Sequence, residues 1–286
     1  MSEILQLAEA ISRLLKADNI LLLCHKNPDG DTVGSAMALC HVLKSLGKTA
    51  AVLCADPIPS RYAYMQLCLF EEGDFEPHFV VAVDVAGIQL FGDSIAEYTR
   101  RIDMCIDHHP SNSGYADCML LDGDAAATAE IIYELLTAIG TEITPTIADC
   151  LYTGLSTDTG CFAYANTTAH THAVAAALLR TRIDYQTVNK VFFRTKTRKR
   201  MQLEGAMLAQ AEFYDRDRIA VLSVPLSLME QLQATESDAE ELSSLGGQIE
   251  GVDCAVTMRE LRPDVWKISL RTGSREIGRA SCRERV

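Results

Sequence analysis

Eight side chains in this sequence are of types that could hold a hard divalent cation or move a proton: His25, Asp29, Asp31, Asp84, Asp107, His108, His109 and Asp158. Three of them crowd into one stretch, His25-Lys26-Asn27-Pro28-Asp29-Gly30-Asp31. One imidazole and two carboxylates suit a hard divalent ion. Pro28 and Gly30 bend the backbone, so the carboxylates need not point opposite ways as on a strand. The same stretch also reads as a polar turn, with Asp31 or Thr32 capping the next helix. Taken alone it does not choose between the two. Asp84 closes the apolar run 79–83, Asp107-His108-His109 closes the run 102–106, and Asp158 sits in Ser156-Thr157-Asp158-Thr159-Gly160. Each has a plain structural role open to it: a cap or buried ion pair for Asp84, a surface loop for the histidines, a loop acid for Asp158. Asp107 is placed to orient an imidazole.

A set scattered over more than a hundred residues needs a scaffold to gather it. The run 20–24 predicts a buried strand, followed by a loop and a helix over 33–46 that Gly47 closes. Further strands are expected at 49–54, 79–83 and 102–106; continuous apolar runs suit strands covered on both faces. Helices are expected at 4–15, at 125–139 with Asp124 as N-cap, at 145–155 with Pro145 in the first turn, and at 168–179. The class is therefore α/β: a mostly parallel N-terminal sheet flanked by helices, with the acids at the strand ends where such sheets bind ligands. The second Asp-Gly-Asp, at 122–124, reads as a turn plus cap. The basic stretch 194–200 reads as the solvated face of a helix, with phosphate steering as the functional alternative. A linker helix over 201–211 leads to strands at 219–224, 254–258 and 265–270 and short helices at 227–233 and 237–244. That is a smaller α+β domain with an antiparallel sheet. The expected division is 1–188, a helical linker 189–212, and 213–286. The tail 275–286 lacks apolar periodicity and is expected to be in part a truncation or cloning scar, leaving the second domain incomplete.

Composition narrows the function. With 286 residues, 48% hydrophobic and 23% charged, the chain can build two ordinary cores. No apolar run approaches the roughly 20 residues of a membrane span. The N-terminus lacks a signal-like block, so a cytoplasmic location is expected and Asn166-Thr167-Thr168 is not a glycan acceptor. Ten cysteines without a Cys-x-x-Cys pair suit reduced, buried thiols. A net charge of -13 argues against long duplex nucleic acid. Small phosphorylated ligands stay open, because bound metal ions bring their own positive charge.

The four motifs His25–Asp31, Val83-Asp84, Asp107-His108-His109 and Gly154-Leu155-Ser156-Thr157-Asp158-Thr159-Gly160, in that order, resemble the DHH phosphoesterase family. The nearest subgroup is that of the bifunctional nano-RNases and pAp phosphatases, in which a DHH domain precedes a DHH-associated substrate domain. The resemblance implies two Mn2+ ions. His25, Asp29 and Asp84 would hold one; Asp31, Asp84, His108 and Asp158 would hold the other, with Asp84 bridging. Six ligands exceed what one ion needs if it must also hold water and substrate, and two ions can acidify water between them and clamp a phosphoryl group. His109 would face the substrate phosphate, supported by Asp107. Ile268-Ser269-Leu270-Arg271-Thr272 resembles the strand that carries a substrate-binding arginine, here Arg271. The family's later glycine-rich segment with a histidine is not reached, and Gly246-Gly247 stands too early to be it. The implied activity is hydrolysis of short oligoribonucleotides to mononucleotides, or of pAp to AMP. The alternatives are a linear or cyclic dinucleotide substrate (pApA, c-di-AMP), or a nucleotide-binding scaffold on a degenerate fold. Pyrophosphate and long DNA fit less well. Expected partners are short RNA or a small nucleotide, and a second copy of the chain as a homodimer; no membrane is expected.

Overall fold

The computed structural model describes residues 2–239 and 242–272. The chain divides into two compact units, one up to Arg194 and one from Thr195 onward. The first unit runs β1 (Glu3–Ile4), α1 (Leu7–Lys16), β2 (Ile20–Leu23), α2 (Gly30–Ser45), β3 (Ala50–Leu53), β4 (Phe79–Val83), β5 (Met104–Asp107), β6 (Cys118–Leu121), α3 (Thr128–Ile139), α4 (Pro145–Asp158), α5 (Ala169–Leu179) and α6 (Tyr185–Asn189). Its six strands form one sheet in the order β1-β6-β5-β4-β2-β3, parallel throughout.

The strand side chains alternate between two cores, as a period of two requires. Ile20, Leu22, Val81, Val83, Met104 and Ile106 join the helices on one face. Leu21, Leu23, Val80, Ala82 and Cys105 join Phe91, Ile95 and Ile102 on the other. Both faces are covered, which is why β2 and β4 are apolar at every position. The chain leaves β2 for the edge strand β3, then returns to place β4 on the other side of β2. That reversal opens a crevice beyond the strand ends, the usual binding position in such sheets.

α2 and α4 pack at glycines. A Cβ on Gly34 would lie 2.3 Å from the Cys150 carbonyl oxygen, a backbone atom, and one on Gly154 would lie 2.8 Å from Asp31 Oδ1. This close approach brings the start of α2 beside the second half of α4. Gly34→Ala is accordingly expected to lower stability by about 1–3 kcal/mol, the range for overpacking a core. Urea unfolding measures it; a loss under about 0.5 kcal/mol would show that the helices have room to separate.

Several expected boundaries move. α2 begins at Gly30, not 33, because Asp29 is its N-cap: Asp29 Oδ1 accepts the backbone N–H groups of Asp31 and Thr32 at 3.0 and 3.1 Å. Asp31 and Thr32 therefore lie in the first turn and do not cap it. α3 begins at Thr128 with Ala127 as its cap residue, so Asp124 is not the N-cap. The N–H groups at that helix start are satisfied from across the fold. α4 extends to Asp158, which is helical and not a loop residue. The strands β1 and β6 were not among the expected elements.

The second unit contains α7 (Arg198–Ala209), β7 (Glu212–Tyr214), β8 (Ile219–Val224), α8 (Leu226–Leu232), β9 (Cys254–Arg262) and β10 (Val265–Thr272). Its sheet runs β10-β9-β8-β7. β9 pairs antiparallel with β10 but parallel with β8, so the sheet is mixed and not wholly antiparallel. The long connection carrying α8 is what a parallel crossover requires. Leu203 and Met207 of α7 are fully buried with Ala220, Leu222 and Val224. In the basic stretch, Lys196 and Arg200 meet Glu204 at 2.7 and 3.0 Å. Residues 275–286, expected from their pattern to be in part of foreign origin, lie outside the described residues. Among those described, no helix is long and apolar enough to cross a membrane, and the nine cysteines are free thiols.

Candidate metal centre

The crevice gathers all eight side chains that the sequence singles out. His25 follows β2, Asp84 follows β4, Asp107 ends β5 with His108 and His109 after it, Asp29 and Asp31 start α2, and Asp158 ends α4. Asp84 sits at the middle and is only 3% exposed. Its backbone takes a left-handed conformation, φ 61°, which non-glycine residues adopt only when the surroundings enforce it. Its N–H bonds the Ile106 carbonyl at 2.9 Å.

The two Asp84 oxygens face different partners. Oδ2 lies 3.9 Å from His25 Nε2, and Oδ1 lies 3.7 Å from His108 Nε2. His25 Nε2 is in turn 3.5 Å from Asp29 Oδ1, and His108 Nε2 is 3.7 Å from Asp158 Oδ2. The donor atoms converge in two groups, His25 with Asp29 and Asp84, and Asp31 with His108 and Asp158. A third grouping pairs Asp84 with His108 and His109.

Both candidate ligand histidines have their other nitrogen engaged. His25 Nδ1 is 2.8 Å from the Lys26 carbonyl, and His108 Nδ1 is 3.2 Å from the Ala125 carbonyl. A carbonyl only accepts, so Nδ1 carries the proton and Nε2 keeps its lone pair for the crevice. His109 is held differently. Its Nδ1 bonds Asp107 Oδ1 at 2.7 Å, while Asp107 Oδ2 accepts from Asn112 Nδ2 at 2.6 Å. Burial opposes ionisation of Asp107, but the bonds from His109 and Asn112 outweigh it and hold the carboxyl below its usual range. The bond to Asp107 in turn raises the His109 pKa.

Asp31, 1% exposed, is wrapped in donors. Oδ2 accepts from Thr128 N at 2.7 Å; Oδ1 accepts from Ala129 N at 2.9 Å and Ser35 Oγ at 3.0 Å. It thereby caps α3, whose positive end favours a carboxylate. Thr128 Oγ1 donates to Asp84 Oδ1 at 2.9 Å. These donors do not offset the crowding of acids. Burial, then the neighbouring Asp158, pushes Asp31 up to about 7. Burial and the charges of Asp31 and Asp29 push Asp84 well above the carboxylate range, and burial also raises Asp158. Like-charged carboxylates buried together call for cations. The donor set, oxygen and imidazole without thiolate, fits hard or borderline divalent ions.

Relatives of known name agree. A profile for the "DHH family, N-terminal domain" matches residues 19–155. The bifunctional oligoribonuclease and PAP phosphatase NrnA of Thermus thermophilus is 30% identical over 279 residues, covering 92% of this chain and 79% of that protein. The chain belongs to the DHH phosphoesterase family. The NrnA of Bacillus subtilis is 26% identical, with 85% of this chain and 78% of that one covered. An exopolyphosphatase-related protein from Bacteroides fragilis shares the fold, with a TM-score of 0.83 at 23% identity over 94% of this chain and 83% of that one. As a DHH phosphoesterase the chain is a phosphoric ester hydrolase, and its DHH domain carries acidic and histidine groups able to hold a metal ion.

Three residues of the DHH centre were not singled out from the sequence. Asn112 and Thr128 reach Asp107 and Asp84, and Asn166 Nδ2 reaches the Ala126 carbonyl at 2.9 Å and the Asp158 carbonyl at 3.2 Å. Thr128 stands 44 residues from Asp84, where local pattern carries no signal, and Asn166, eight residues after Asp158, lies past the end of α4 with no motif to tie it to that acid. Asn112 does leave a signal: it follows Asp107 by five residues, across a Pro-Ser turn that can fold its amide back onto the carboxylate.

Proposed function

We propose that this chain is a manganese-dependent phosphoesterase that hydrolyses short oligoribonucleotides to mononucleotides, pAp to AMP, or both. The observation that carries the reading is the placement of Asp84 between two donor groups, one oxygen toward each. His25, Asp29 and Asp84 would hold one ion, and Asp31, Asp84, His108 and Asp158 the other. Bound there, a cation pair would make water more acidic and neutralise phosphoryl charge.

The protein's own side chains do the rest. Asp84 shares its charge between the two groups. Asp31, fixed by the N-terminus of α3, keeps its position without a counter-ion. His109, with Nδ1 committed to Asp107, presents Nε2 to a phosphate oxygen and, when protonated, stabilises its charge or protonates the leaving oxygen. Asp107 holds that ring in the required tautomer. Arg271, an exposed residue of β10, is assigned to the substrate's phosphate or base within the second unit. The activities for which the relatives are named, oligoribonuclease and PAP phosphatase, support this substrate class over pyrophosphate. An acidic chain also suits a short substrate better than a long polyanion.

Rates on di- to pentaribonucleotides, pAp, pApA, c-di-AMP and pyrophosphate, measured with Mn2+, test the reading. Short RNA or pAp should be the fastest substrate; pyrophosphate or cyclic dinucleotide leading the series would refute it. Asp107→Asn should leave cation stoichiometry unchanged and lower kcat by roughly 10–100-fold, the usual cost of losing a partner that orients a working group. An unaltered kcat would remove His109 from the chemistry.

A further inference from the structure

Glu130 is a buried acid with no place in the chemistry above. It is 3% exposed and stands in the first turn of α3. Its Oε2 accepts the Ala126 backbone N–H at 2.7 Å. Its Oε1 is buried and has no hydrogen-bond partner among the described residues. A carboxylate kept in the interior with half its acceptor capacity idle is costly, so the single bond it makes is the function to account for.

That bond fixes the loop 125–127, and the loop's carbonyls face the DHH centre. The Ala125 carbonyl holds His108 Nδ1 at 3.2 Å. The Ala126 carbonyl accepts from Asn166 Nδ2 at 2.9 Å, and the same amide group reaches the Asp158 carbonyl at 3.2 Å and Asp158 Oδ2 at 3.4 Å. A glutamate at the third helical position often bonds a backbone N–H just before the helix. Here the acceptor that should complete the reciprocal cap is Asp31, which takes the Thr128 and Ala129 N–H groups. Both halves of this helix start are thus tied to the same crevice.

We infer that Glu130 is a positioning residue for the cation site: through the loop 125–127 it sets the Nε2 direction of His108 and, by way of Asn166, the carboxylate of Asp158. The inference rests on the metal reading above and concerns only the Asp31–His108–Asp158 half of the site. Glu130→Gln keeps an oxygen for the Ala126 N–H; Glu130→Ala removes it. Asn166→Ala cuts the second link from an exposed position and does not disturb the core.

The test is Mn2+ affinity by isothermal titration, beside the thermal midpoint of each metal-free variant. Glu130→Ala and Asn166→Ala should each weaken one of two Mn2+ binding steps by at least about 10-fold and leave the other unchanged, and Glu130→Gln should stay within about twofold of the parent in both. If Glu130→Ala does not fold, Asn166→Ala and Glu130→Gln carry the same comparison. A folded Glu130→Ala or Asn166→Ala with parental Mn2+ affinity overturns the inference, as does a Glu130→Gln that loses affinity. A parent protein that takes up no Mn2+ overturns instead the metal reading on which the inference stands.

Discussion

Asp84→Asn should remove most of the turnover while making the metal-free protein more stable. Asparagine accepts the left-handed backbone that Asp84 holds at φ 61°, and its oxygen can still take the Thr128 hydroxyl bond now made at 2.9 Å. The substitution therefore changes charge with little change in shape. It removes the one carboxylate whose oxygens face both His25 and His108, so each of the two proposed cation sites would lose a ligand. The expected fall in kcat/KM exceeds about 100-fold, beyond the range for a residue that merely orients a ligand. In the metal-free protein the same change takes one buried anion out of a group of like charges that includes Asp31 and Asp29, and the thermal midpoint at mildly alkaline pH should rise. Function and stability thus pull in opposite directions at this position. Near-parental turnover with Mn2+, or a lowered midpoint without it, would contradict the assignment.

The metal-free protein should lose stability from about pH 5 to about pH 8, and added Mn2+ should restore more of it at the upper end. The sign follows from the carboxyls. Asp31 titrates at about 7 in the folded protein against roughly 3.9 in an unfolded chain, and Asp84 is raised as well. Between those values the folded state binds more protons than the unfolded one, so stability falls as pH rises. The raised pKa of His109 acts in the same direction. Carboxyls held low, such as Asp107, act oppositely, but only in the more acidic range below their unfolded value. Cations compete with protons for these oxygens, so their stabilisation grows with pH. Thermal midpoints across this range, with chelator and with Mn2+, measure both trends. A metal-free midpoint that climbs toward pH 8 would show that the acids are not crowded as described.

The sheet was readable because β2 and β4 are buried on both faces, so their sequences are apolar without interruption. β1, two residues long, has no such signature; β6 is as long as β2 and as apolar, so its pattern was legible although it is not among the expected strands. The candidate ligands were legible because acids and imidazoles after apolar runs are conspicuous. Their support was less so. Asp31 caps a helix that starts 97 residues later, a relation no local pattern encodes, and that hidden partner is why Asp124 looked like the cap. Asp158 looked like a loop residue because Thr157, Thr159 and Gly160 around it are weak helix formers. Its helix persists because Gly34 and Gly154 let α4 pack tightly on α2. In the second unit, the stretch between Val224 and Cys254 is long enough for a crossover, and that length is the signal in the sequence for the parallel pairing of β8 with β9.

Crystals grown with Mn2+ and measured at its absorption edge put the two-cation centre to the most direct trial. Two anomalous peaks should appear in the crevice, one against His25 and Asp29, the other against Asp31, His108 and Asp158, with Asp84 contributing an oxygen to each. A single peak, or two peaks that do not share Asp84, would contradict it.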